Sequence, residues 1–304
     1  MNNLYLSPST NFYSMRKTIY IKKASGEVEK FSREKLARTL IRAGASREAA
    51  ESIINTVEKT LYSGITTREI YRTAMSKLKK TDPVVASKYS LKEAIMRIGP
   101  AGYPFEKLFT EILKEYGYSA RTHVFVQGHC VKHEIDIIAA KPIKANPMLK
   151  QPPLRHFMIE NKYHNAPGVF TGLKEVMYTY ARFLDIQEGW KEGLCQKFDE
   201  PWLVTNTKFS GDAIEYANCR RIKLTGWRYP SDNSLETLIE EKKLYPITVL
   251  TSLDRDTQNK LANAGIMLCK TLVKTNIAKL KEKSGVPLNK LSKLREETER
   301  LFTY

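Results

Sequence analysis

Glu160 and Lys162 stand one residue apart in FMIENKYH (157–164), at the end of an apolar run. Side chains alternate faces along a strand, so this carboxylate and ammonium share a face while Ile159 and Asn161 take the other. Such a pair is either an exposed ion pair or half of an active site. Upstream, HEIDIIAA (133–140) places Ile135 and Ile137 on one strand face and Asp136 with Ile138 on the other. An acid in so apolar a run is costly unless something pairs with it. If the two strands are neighbours, Asp136 and Glu160 converge at one sheet edge beside Lys162. Two approaching carboxylates call for a cation, and hard oxygen donors suit Mg2+ or Mn2+. The ammonium can then orient a water or stabilise charge building on a scissile phosphate. A sheet-edge ion pair between Asp136 and Lys162 is the purely structural alternative.

Several elements must position these residues. In YPFEKLFTEILKEYG (103–117), Pro104 suits a first helical turn, and Phe105, Leu108, Phe109, Ile112 and Leu113 form an apolar stripe bordered by Glu106 and Lys107. A strand is read in THVFVQG (122–128). The proline-containing KPIKANPMLKQPP (141–153) separates the two acid-bearing strands, and GVFTGLKEVMYTYARFLDI (168–186) has helical spacing. PWLVTNTKF (201–209) reads as a strand ending in Asn206, Thr207 and Lys208. These polar residues either touch a phosphate backbone or, for Asn206 and Thr207, satisfy the strand's own end.

The order helix Glu106, strand, strand Asp136, strand Glu160-x-Lys162, helix, strand, helix resembles the PD-(D/E)xK nuclease superfamily. Within it, the chain is similar to the Mrr-type restriction-endonuclease branch over residues 102–230, with WLVTNTKFSGDAIEYANCRRIKLTGW as the final strand and helix. The resemblance implies catalytic residues Glu106, Asp136, Glu160 and Lys162. Asp136 and Glu160 would hold Mg2+ (or Mn2+), Lys162 would assist the attacking water, and Glu106 would position the metal or that lysine.

Residues 17–100 read as a strand pair followed by helices. TIYIKK and SGEVEKF are short strands, Ser32 caps SREKLARTLIRAG, REAAESIINTVEKTLYSG has helical spacing, and Thr66 or Thr67 opens TTREIYRTAMSKLKKT. A fourth helix is read in PVVASKYSLKEAIMRIG, ending at Gly99-Pro100. YIKKASGEVEKFSREKL, GITTREIY and ASKYSLKEAI together resemble the ATP-cone, the nucleotide-binding regulatory module of many ribonucleotide reductases. A triphosphate needs fixed cations, and Lys22, Lys23 and Lys35 would supply them, with the Thr67 hydroxyl at a helix start. The resemblance makes the ligand an effector, ATP or dATP. No GxxxxGK[ST] stretch occurs, so the residues give no case for a P-loop or for ATP hydrolysis.

Fifty Lys and Arg against 33 Asp and Glu leave a formal charge of +17, which favours polyanionic partners. Charge alone does not separate DNA from RNA or anionic lipid. No run of about 18 apolar residues appears and the start lacks a signal-peptide pattern, so a cytoplasmic protein without membrane segments is expected. The four cysteines form no CxxC. His129, Cys130 and His133 in GHCVKH have spacings a metal could use, although a partly exposed loop is the better reading.

Residues 1–16 read as a flexible arm and 234–304 as a helical C-terminal region. In the latter, TSLDRDTQNKLANAGIMLCKTL is a helix, an Ala-Gly-Ile turn and a helix, which is similar to a helix-hairpin-helix and equally how any helix pair turns. The final stretch, interrupted at Ser284-Gly285-Val286-Pro287, is a packing arm or a dimer contact. A homo-oligomer would form through the cone or these helices. The expected fold class is α/β, α+β overall: a small, mostly helical cone with a strand pair, a restriction-endonuclease-like mixed sheet flanked by helices, and a helical C-terminal tail. The expected function is a metal-dependent DNA endonuclease controlled by ATP or dATP. The alternative is a nucleotide-sensing DNA-binding regulator without nuclease activity, and RNA is not excluded as substrate.

Overall fold

The structure, a computed structural model, describes residues 18–99, 102–143 and 152–303; the arm read at 1–16 lies outside them. Strands β1 (Tyr20–Lys22) and β2 (Val28–Lys30) pair antiparallel around a turn in which Gly26 takes φ +87°. Helix α1 (Arg33–Arg42) is capped by Ser32, whose hydroxyl accepts the Lys35 amide at 3.1 Å. Helices α2 (Arg47–Glu58) and α3 (Thr67–Thr81) follow, the latter opened by a capping box between Thr66 and Glu69. Ile21, Leu40, Ile53, Ile54, Val57 and Leu78 pack into a first core.

The fourth helix of the sequence reading is two helices, α4 (Pro83–Tyr89) and α5 (Leu91–Met96). They meet at Ser90, whose hydroxyl donates to the Ser87 carbonyl at 2.8 Å; serine offers the backbone this local alternative to a continuous helix. The break redirects α5, so that Leu91, Ala94 and Ile95 join a second, larger core.

That second core lies between α6 (Tyr103–Glu115), the C-terminal helices and one face of a five-stranded sheet. The sheet order is β3 (Ser119–Gln127), β4 (Lys132–Pro142), β5 (Leu154–Lys162), β7 (Glu200–Thr205), β9 (Lys223–Thr225). The first three strands are antiparallel neighbours and the last two join parallel. The stripe expected on α6 faces inward: Phe105, Leu108, Phe109 and Ile112 are fully buried, and Phe109 meets the Trp202 ring edge-on at 5.5 Å. Helices α7 (Leu173–Lys191) and α8 (Gly211–Arg220) cover the opposite face, where Val176, Leu203, Ala213 and Leu224 pack together. A small parallel pair, β6 (Phe170–Thr171) with β8 (Lys208–Phe209), brackets the sheet's end. The architecture is the mixed α/β arrangement expected from the sequence.

Helices α9 (Leu235–Glu241), α10 (Arg255–Asn263), α11 (Cys269–Lys274), α12 (Ile277–Ser284) and α13 (Leu288–Thr303) complete the chain. Leu261, Leu272, Leu280, Leu291 and Leu301 share the second core with α6, so this region packs closely on the sheet domain. Gly265 (φ +78°) and Gly285 (φ +67°) end α10 and α12 in the left-handed conformation that glycine adopts without steric cost. Among the described residues no helix is long and apolar enough to cross a membrane.

Two seams join the cone-like unit to the rest. The Thr248 hydroxyl donates to the Ala94 carbonyl at 2.8 Å, and the Gln258 amide donates to the carbonyls of Arg97 and Ile98. In the loop after β5, Gly168 (φ +86°) lies so close to the β1–β2 turn that a Cβ there would sit 2.7 Å from the Ser25 nitrogen.

Candidate functional site

Strand pairing sets the geometry. Ile137 opposes Ile159 across β4 and β5, and both enter the α6-side core, so Glu160, one residue further along, belongs to the opposite face. Ile135 does not share the face of Ile137 as expected but packs with Ile138 and Met158 on the α7 side, so the alternation of β4 breaks at Asp136. The Asp136 Oδ2 accepts the Asn161 backbone N–H at 2.7 Å, tying the two strands where the acids stand. Glu106, in the first turn of α6, is 8% exposed, as is Glu160.

All three carboxyls are raised chiefly by burial, and the charge of Asp136 adds to the other two. Burial first, then the charge of Asp136, pushes Glu160 up to about 8 despite the opposing Arg182 guanidinium. Burial and Asp136 push Glu106 up to about 7. Burial also raises Asp136, against the stabilising Asn161 N–H. Glu160 Oε1 and Glu106 Oε2 are buried with no hydrogen-bond partner, and so are both side-chain polar atoms of Asn161. Buried polar atoms are nearly always paired, so these groups call for partners, water or ion, from outside the chain.

Lys162 is exposed at the end of β5 and makes no ion pair with the three acids. Its backbone carbonyl accepts the Thr205 hydroxyl at 2.8 Å, which fixes the strand end. Asn206 and Thr207 are buried, and the Asn206 side chain bonds both backbone groups of His164, at 2.7 and 2.8 Å. The strand-end role, not phosphate contact, therefore falls to them.

Two residues absent from the sequence reading enter the site. Arg182 on α7 donates from Nη1 to Glu160 Oε2 at 2.6 Å and from Nη2 to the Glu134 carbonyl. His123 on β3 lies between Glu106 (3.1 Å) and Glu134 (3.0 Å), with its backbone at φ 52°, a conformation non-glycine residues seldom hold. The contact with Glu106 is ionic in distance but lacks hydrogen-bond geometry, which leaves that oxygen orphaned. An arginine in the otherwise amphipathic YTYARFLDI, and a histidine in an apolar strand, were the available signals.

Among the described residues no three acidic, histidine or cysteine groups are gathered tightly enough to hold a metal ion by themselves. Mg2+ asks for less: one or two carboxylates, with waters and substrate phosphate completing its shell. Asp136 and Glu160, with an orphaned Glu160 oxygen, offer that donor set. The GHCVKH segment is a turn held by Asp185, which accepts the Cys130 amide at 2.7 Å and contacts His133 Nε2 at 2.7 Å, while His129 turns away to Glu192. Those three residues gather no zinc-like set.

At the nucleotide-candidate residues, Lys23 and Lys35 both reach Glu29, at 2.8 and 2.9 Å, and their ammonium groups hold its carboxyl below the usual range. Lys22 is exposed on β1, and its amide donates to Ile65 beside the start of α3, where Thr67 is the first helical residue. Thr66 uses its own hydroxyl on Glu69. Of the four candidates, Lys23 and Lys35 are thus gathered on Glu29, while Lys22 and Thr67 stand near the start of α3.

Residues 19–95 match the ATP cone domain family, and residues 245–302 match the family described as AF1548-like, C-terminal. An uncharacterized protein of Archaeoglobus fulgidus is 46% identical over 171 residues, 56% of this chain and 87% of that one. The crystal structure of the protein of unknown function AF1548 aligns with a TM-score of 0.54 at 40% identity, over 67% of this chain and 99% of that one. MspJI restriction endonuclease in complex with a 27-mer oligonucleotide aligns at 13% identity and a TM-score of 0.34, over 69% of this chain and 39% of that one.

Proposed function

The chain belongs to the AF1548-like family, and from that premise we propose that it is a nuclease that hydrolyses phosphodiester bonds in DNA with Mg2+ or Mn2+, under the control of ATP or dATP bound to its cone. The observation that carries this reading is the gathering of Glu106, Asp136 and Glu160, each raised first by burial, around orphaned oxygens at the strand end that presents Lys162. Ionising these buried carboxyls is expensive even with Arg182 and His123 beside them, and that cost is offset when a further cation arrives.

Asp136 and Glu160 would hold the divalent ion, which when bound would supply charge stabilisation at the phosphate and a more acidic water. Arg182 fixes one Glu160 oxygen and leaves the other toward the site. Glu106, balanced near neutrality, can take or release a proton at the site's edge. Lys162, exposed and without a competing carboxylate, can meet negative charge on the phosphate. Lys22, Lys23, Lys35 and Thr67 would hold the effector's phosphates. The contact of Gly168 with Ser25 links that turn to the loop beginning one residue after Lys162, a short path for nucleotide control.

Arg182, already neutralising Glu160, favours one second reading: a nucleotide-sensing DNA-binding protein in which the acid site is silent. Supercoiled plasmid incubated with Mg2+ or Mn2+, with and without ATP or dATP, separates the two. The nuclease reading expects nicking by the native chain and loss of at least ~100-fold for Asp136→Asn, the scale of a lost charge-stabilising group. Equal cutting by both chains, or none by either under every nucleotide condition, overturns it.

A further inference from the structure

An open cleft of about 390 Å3 lies between α6, β3 and the turn joining α10 to α11, with Lys107, Thr110, Lys114, Arg121 and Gly265 on its walls. Its balance is basic. Lys107 sits 4.2 Å over the Tyr103 ring, and Lys114 shares its charge with Glu111 at 2.8 Å, the carboxylate on the same wall. Arg121 is exposed and has no ionic or hydrogen-bond partner among the described residues. Thr110 is 5% exposed, yet its hydroxyl has no partner. A buried hydroxyl left unpaired is disfavoured, and an incoming acceptor would relieve it. At Gly265 nothing lies within 4 Å of where a Cβ would be, so a ligand backbone can come close.

The cleft is in register with the acid cluster. Thr110 follows Glu106 by four residues on α6, so the two share a helix face, and Arg121 stands two residues before His123 on β3. From Glu106 to Lys114 the helix rises about 12 Å. That spans about three to four nucleotides of one strand at ~3.4 Å each.

We propose that this cleft is a backbone-binding groove for the nucleic-acid strand on one side of the cleavage position. Arg121 and Lys114 neutralise successive phosphates, Thr110 donates to a phosphate oxygen, and the Gly265 turn forms the far wall. The contacts are to phosphate alone, so the groove positions the strand without reading its sequence. The assignment rests on the nuclease reading for what lies at the other end of the groove, but its test requires no cleavage.

The full chain is titrated into fluorescein-labelled 30-mers, as duplex DNA, single-stranded DNA and single-stranded RNA, in EDTA across a NaCl series. The Arg121→Gln/Lys114→Gln double variant should bind about tenfold more weakly than native protein and lose ~2 from the slope of log affinity against log salt on duplex, about one per phosphate contact. Lys279→Gln/Lys283→Gln on α12, which removes the same charge elsewhere, should keep the native slope, and Arg121→Lys should restore most of the lost affinity. The three probes tell whether the strand held is double- or single-stranded, DNA or RNA. If the double variant keeps native affinity and slope, or if the native chain binds none of the probes, the groove is overturned. Native cutting of plasmid together with an unchanged double variant would remove the groove and leave the nuclease standing. A shifted slope without any cutting would do the reverse.

Discussion

Arg182 Nη1 lies 2.6 Å from Glu160 Oε2, both side chains nearly buried, so the most strongly perturbed acid of the site has a resident cation supplied by α7. Replacing Arg182 with methionine keeps the bulk and removes the charge. Breaking a buried pair from one side costs about 3–5 kcal/mol. Urea denaturation of Arg182→Met should show a loss of that order, and Arg182→Met/Glu160→Gln should recover a good part of it.

The raised carboxyls give stability a definite pH dependence. Glu106 and Glu160 ionise in the folded chain at about 7 and about 8, above the ordinary carboxylate range of the unfolded chain. Between those limits the folded state binds more protons, so stability is greatest at the acid end and falls as pH climbs to about 8. Glu160→Gln should flatten the curve of melting temperature against pH from 5 to 9. Mg2+ requires ionised carboxylates, so its apparent affinity should run the other way and rise over the same window.

Glu29 competes with any phosphate for Lys23 and Lys35. Glu29→Gln releases both ammonium groups and should tighten ATP or dATP binding several-fold by calorimetry. Lys35→Gln should weaken it by about tenfold, the scale of one charge-assisted hydrogen bond.

Gly168→Ala meets two obstacles, a left-handed backbone and the Ser25 nitrogen at 2.7 Å from the new Cβ. The loop and the β1–β2 turn must separate. Nucleotide affinity measured by calorimetry should persist, while the difference in plasmid cutting with and without nucleotide should shrink.

Phe109 is fully buried against Trp202 beneath the acid-bearing strands. Phe109→Ala should destabilise by ~3–5 kcal/mol in urea denaturation. A larger residual activity than stability loss would predict is not expected, because α6 also carries Glu106.

The elements with strong periodicity were legible from residues alone. The α6 stripe, the alternation in β5 and the Ser32 cap are each set within one short window, where side-chain spacing and burial agree, whereas in β4 the break at Asp136 sends Ile135 and Ile137 to different cores. Placing Asp136 beside Glu160 needed only that neighbouring strands pair. The break at Ser90 was not legible, because its cause is a choice between two local hydrogen-bond patterns that SKYSLKEA permits equally. Arg182 and His123 were missed for a different reason. Their roles depend on partners 22 and 17 residues away, across elements whose packing no single window encodes. The cone lysines were visible as charges, but their shared bond to Glu29 was not.

The α5 seam bears on how such a chain can change over generations. Residues 19–95 match a known module, yet the last helix of that stretch buries Leu91, Ala94 and Ile95 in the other unit's core, and Thr248 is bonded to its backbone. A cone grafted from another source would arrive with a helix cut to a different lock. The cone-like unit is therefore inherited together with the surface that receives it, and the two halves must drift in step.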